Sequence, residues 1–87
     1  MNDEEKKALA LAAADFLITN QLTLLRLTAT DGKITLSIPT VAGIGEEDLK
    51  KLLSNKFTND LYAFDFEYIK STATNGTTII HINKFDS

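Results

Sequence analysis

Residues Leu22 to Pro39, LTLLRLTATDGKITLSIP, constrain the fold more than any other stretch of the chain. Asp31-Gly32 separates two runs of alternating apolar and polar residues. A two-residue hairpin loop of type I′ needs positive φ at both central positions, and Asp-Gly tolerates this well. Such a loop pairs Thr30 with Lys33, Ala29 with Ile34, Leu27 with Leu36 and Leu25 with Ile38. The last three pairs are apolar and share one face, while Arg26, Thr28, Thr30, Lys33, Thr35 and Ser37 share the other. A slip by one residue would turn the apolar set to water, so turn chemistry and alternation specify the same hairpin. Its apolar face then needs a cover from the rest of the chain.

Helical spacing supplies that cover. From Asp3 to about Thr19, Leu9, Ala12, Ala13, Phe16 and Leu17 recur on one side; Asn2 or Asp3 caps the start, and Glu4 and Glu5 sit where the helix dipole favours anions. Asn20 is expected as a left-handed C-cap. A second helix is expected from about Glu46 to Asn55, burying Leu49, Leu52 and Leu53. LYAFDFEYIK, from Leu61, alternates again, with Tyr62, Phe64, Phe66 and Tyr68 opposed to Ala63, Asp65 and Glu67. A last strand runs from Thr77 to about Phe85. A two-residue turn at Asn75-Gly76 would set Asn83 and His81 against Tyr68 and Lys70, so the pattern prefers an odd loop of about three or five residues. The three-residue form, with a bulge at Gly76, pairs Tyr68 with Ile82. Turning the aromatic row outward, as a base-stacking RNA surface would, buries Asp65 and Glu67 at several kcal/mol each, roughly. The row therefore belongs to the core.

The element order α-β-β-α-β-β reads as an α+β fold, a two-layer sandwich with both helices on one face of a four-stranded antiparallel sheet. A right-handed crossover through the second helix, with the last strand inserted, gives the strand order 3-4-2-1. That order is a circular permutation of the ferredoxin-like split βαβ arrangement, a comparison of topology alone; meander-like orders use the same elements. With 87 residues, 44% hydrophobic and no linker or repeat, the expectation is one domain over residues 1–87.

Composition excludes several chemistries. The chain has no cysteine, so it forms no disulfide, thiolate metal site or cysteine nucleophile. Nine Lys and Arg against twelve Asp and Glu, net −3, are dispersed along the chain, which disfavours nucleic-acid binding. The opening MNDEEKK is acidic where a secretory signal is basic, and ALALAAA is far short of the roughly 20 apolar residues of a membrane span. The expected setting is soluble and cytoplasmic, with no membrane partner. Residues Val41, Gly43, Ile44, Gly45, Leu49, Leu52 and Leu53 fit the spacing of a helix-hairpin-helix phosphate clamp. However, a strand ending at Pro39 precedes them, and Glu46, Glu47 and Asp48 crowd the place a phosphate would take. The stretch is a helix start, with Gly45 as N-cap and Ile44 and Leu49 as a staple.

His81, the single histidine, falls on the open face near Asp65, Glu67 and Ile69. It has no second histidine or evident nucleophile beside it, so the expectation is a cross-strand polar pair, with no catalytic residue, metal or cofactor. What remains is a non-catalytic module that binds another protein or a second copy of itself. Its surface is the open face or an edge strand, with Leu24, Arg26, Ile69, Ile79 and His81 as the candidate interface. The alternative is an artificial scaffold with no ligand, since turn chemistry and patterning agree throughout.

Overall fold

The Asp-Gly hairpin sets the register of half the sheet. In the computed structural model, which describes residues 2–30, 32–73 and 75–85, β1 (Arg26–Thr30) pairs with β2 (Lys33–Pro39), Thr30 opposite Lys33, Ala29 opposite Ile34 and Leu27 opposite Leu36. Gly32 takes φ +73, as the turn requires; Asp31 lies outside the described residues. The register does not extend to Leu25. Its N–H donates to the Ser37 carbonyl at 2.8 Å although Ser37 already faces Arg26, so two residues oppose one and the strand bulges where it begins. The expected Leu25–Ile38 pair is lost, and Leu25 stays exposed.

α1 (Asp3–Thr19) starts as expected, with the Asn2 side chain accepting the Glu5 N–H at 2.8 Å. Its end differs. Gln21, not Asn20, is left-handed, at φ +55. The Leu22 N–H reaches the Leu17 carbonyl at 2.8 Å and the Gln21 N–H reaches Ile18 at 3.1 Å, the two bonds of a Schellman motif. Asn20 still belongs to the last turn, because both its backbone N–H and its side-chain amide donate to the Phe16 carbonyl. α2 (Glu46–Lys56) follows an extended Gly45 whose N–H donates to the Asp48 carboxylate at 3.2 Å. It closes on Phe57, which is buried.

β3 (Tyr62–Ile69) and β4 (Thr77–Lys84) complete a four-stranded antiparallel sheet of order β1-β2-β4-β3, the order expected from the inserted last strand. The β3–β4 register corrects the expected one: Phe64 faces Ile82, Phe66 faces Ile80 and Tyr68 faces Thr78. The connection spans residues 70–76, longer than three or five but still odd. A slip of two residues keeps every side chain on its face, so alternation fixed only the parity. At the loop end the Thr40 N–H donates to the Gly76 carbonyl at 2.9 Å, which carries the β2–β4 pairing one residue beyond Pro39 and Thr77.

Leu9, Ala13, Phe16 and Leu17 of α1, Leu53 of α2, Phe57, and Ile34, Leu36, Ile38, Ile80 and Ile82 of the two central strands form one buried cluster. Both helices therefore cover the same sheet face. Tyr62, Phe64 and Phe66 pack at its margin, partly buried, and the Tyr62 ring meets Phe57 edge-on at 5.3 Å. Tyr68 is half exposed, because β3 has a neighbour on one side only.

Candidate functional site

The sheet face away from the helices carries the odd-numbered residues of β2, β3 and β4 and the even-numbered residues of β1. Three rows cross it: Arg26, Ser37, Ile79, Glu67; then Thr28, Thr35, His81, Asp65; then Thr30, Lys33, Asn83, Ala63. Short hydroxyl side chains dominate β1 and β2, and carboxylates appear only on β3. The face is polar and graded in charge from one edge to the other.

His81 sits at its centre with both ring nitrogens engaged. Nδ1 lies 3.3 Å from the Thr35 hydroxyl and Nε2 lies 3.0 Å from a Glu67 carboxylate oxygen. A neutral imidazole protonated on Nε2 satisfies both, donating to Glu67 and accepting from Thr35. The register sets His81 opposite Asp65, yet its bond runs diagonally to Glu67, while Asp65 accepts from the Asn83 amide at 3.4 Å. Hydroxyl, imidazole and carboxylate thus stand in line, a nucleophile–base–orienter order. Thr35 was missed as a partner because only the register brings residues 35 and 81 together. The backbone N–H groups of the two central strands around it lie in the β2–β4 ladder or in the ladders on either side, so they form no oxyanion hole.

The other candidate residues divide. Arg26, Ile79 and His81 share the open face, with Arg26 and Ile79 in one row on either side of Ser37. Ile69 lies on the same face at the far end of β3, opposite Thr77, and not beside His81. Leu24 precedes the bulge and belongs to no strand; it is 42% exposed. Among the described residues the Arg26 guanidinium has no acidic partner, in contrast to Lys56, paired with Asp15 at 2.5 Å, and Lys84, paired with Glu5 at 3.6 Å. Those two lysines flank a cleft of about 260 Å³ floored by Leu9, Ala12, Phe57 and Tyr62, and their pairing leaves it no free cation.

Other strongly exposed apolar side chains lie away from these candidates. Ile18 and Leu11 on the outer side of α1 are 76% and 62% exposed, and Leu61 and Phe85 lie at the start of β3 and the end of β4. The near-continuous apolar run of α1 signals this outer face, because a stripe that wide exceeds what one sheet covers. Among the described residues no group of three or more His, Cys, Asp or Glu is placed to hold a metal ion, and no helix is long and apolar enough to cross a membrane.

Comparison with known proteins returned no match: no family model, no curated protein and no solved structure resembles the chain. Fold and surface together define a small α+β domain with one packed sheet face, one polar face and two unpaired strand edges.

Proposed function

We propose that this domain is a non-catalytic interaction module that works through its open sheet face and the β1 edge. The observation that carries the reading is the β1 edge itself. Arg26–Thr30 forms the outer strand, bears a single charge, and has no acidic partner for it among the described residues. Natural sheets guard such edges with charges, bulges or covering segments. Here, among the described residues, a bulge lies at the Arg26 end, and β1 is contiguous with the Thr-rich half of the open face. We read the strand order β1-β2-β4-β3 as a permuted ferredoxin-like arrangement, an architecture that hosts many unrelated functions, so the reading rests on the surface and not on the fold.

Leu24→Lys combined with Ile79→Lys places cations beside β1 and at the middle of the open face. Loss of self-association, or of capture of a specific partner by the immobilised chain, supports the module. If both are unchanged in the double variant, the module reading fails and a scaffold without a ligand takes its place. One observation favours a second reading: the Thr35, His81 and Glu67 alignment suits weak acyl transfer to water. It predicts ester hydrolysis that His81→Ala abolishes, and equal rates for wild type and variant refute it.

A further inference from the structure

We infer that the occupant of the β1 edge is a second copy of this chain, paired antiparallel about a two-fold axis at Thr28. This rests on the interaction-module reading and names its partner. A two-residue hairpin loop closes on a hydrogen-bonded pair. Thr30, Thr28 and Arg26 therefore exchange backbone bonds with Lys33, Thr35 and Ser37, and Leu27 and Ala29 turn their N–H and C=O groups to the free edge.

An antiparallel partner must present outward groups at the same positions. In a two-fold pair centred on Thr28, Leu27 faces Ala29 of the second copy and Ala29 faces its Leu27, and both are outward-bonding positions. The same register sets Thr28 against Thr28 and Arg26 against Thr30 on the open face. No like charges meet, and a hydroxyl pair sits on the axis. On the helix side each Leu27 meets an Ala29, a large residue against a small one. The four-stranded sheet is thereby doubled and continued from one copy into the next.

The opposite edge does not offer this. β3 projects Asp65 and Glu67 onto the same face, so two β3 edges would bring carboxylates together. A closed two-fold pair through β1 leaves the acidic edges outermost, where they prevent further growth.

The chain has no cysteine, so a single introduced thiol reports the register. Thr28→Cys sets two thiols in a non-hydrogen-bonded pair whose Cα atoms are about 4.5 Å apart, within the range a disulfide spans. In Arg26→Cys the thiols lie four residues out of step, about 13 Å apart. The inference predicts twice the 9.6 kDa chain mass by light scattering at high micromolar concentration, with oxidative cross-linking of Thr28→Cys and not of Arg26→Cys. Ala29→Pro removes an outward N–H from each copy, which an edge strand tolerates, and weakens the dimer at least about 10-fold. Thr28→Lys, on the exposed face, weakens it comparably through repulsion on the axis, whereas Glu67→Lys on the far edge leaves it intact. A monomer up to about 1 mM, open-ended oligomers, or cross-linking indifferent to position overturns the inference. In each of those cases the module reading is still judged by the Leu24→Lys, Ile79→Lys comparison, which fails separately.

Discussion

Gly76→Ala tests whether the close of the β3–β4 connection is held by backbone contact. Gly76 has φ +92, and a Cβ built there falls 2.5 Å from the Ile69 carbonyl oxygen and 3.4 Å from its carbonyl carbon. Positive φ costs an L-residue about 1–2 kcal/mol. The overlap adds about 1–3 kcal/mol, because the clashing atom is backbone and yields only by shifting the end of β3. Gly43 is the control, with φ +85 but nothing within 4 Å of its Cβ position. Gly43→Ala therefore carries the φ cost alone, and both substitutions share the same reduction in unfolded-chain entropy. The difference between the two variants is then about 1–3 kcal/mol, a large part of the roughly 4–13 kcal/mol expected of a domain this size. Urea unfolding followed by circular dichroism measures it, as a midpoint gap of about 1–3 M at a slope of about 1 kcal/mol per molar. Amide exchange at Thr40 accelerates in Gly76→Ala, since its N–H is bonded to the carbonyl of Gly76 itself, whose backbone must move to relieve the clash. If the two variants unfold within about 0.5 kcal/mol of one another, the steric argument is wrong.

Other perturbations separate the packed face from the open one. Leu36→Ala, fully buried on β2, costs about 3–4 kcal/mol in urea unfolding, whereas Thr35→Ala, its neighbour on the polar face, costs below about 1 kcal/mol. Asn2→Ala removes the side-chain acceptor of the Glu5 N–H and costs about 1 kcal/mol, read as a lower thermal midpoint. Gln21→Gly relieves the left-handed residue of the Schellman motif and raises stability by about 0.5–1 kcal/mol, a rise of a few degrees in Tm; an unchanged or lower Tm contradicts it.

Much of the architecture is legible in local chemistry. Asp31-Gly32 flanked by alternating residues leaves one hairpin register, and the burial of Ile34, Leu36 and Ile38 follows from it. Gly45 followed by three acids marks the start of α2 to the residue. Strand order also follows, because a crossover helix between β2 and β3 leaves room for β4 between them.

Distances along the chain that no local pattern encodes are less legible. Alternation in β3 and β4 gives the parity of their register and not its offset, because a shift of two residues keeps every side chain on its face. The same limit hides Thr35 as a partner of His81 and makes Glu67, a diagonal neighbour, its acceptor in place of Asp65. Leu25 breaks register through a bulge that apolar periodicity does not announce. Leu11 and Ile18 fall outside the buried stripe of Leu9, Ala13, Phe16 and Leu17 that helical spacing marks, and the spacing does not account for so much apolar surface on the outer side.

The most direct test of the account is backbone amide exchange along β1 across protein concentration. At low micromolar concentration the amides of Thr28 and Thr30 are protected by β2, while those of Leu27 and Ala29 exchange freely at the open edge. Raising the concentration toward about 1 mM slows Leu27 and Ala29 and leaves Thr28 and Thr30 unchanged, as the edge takes a second copy. Protection of Leu27 and Ala29 already present in dilute protein, or free exchange at every concentration, contradicts an edge built for self-pairing.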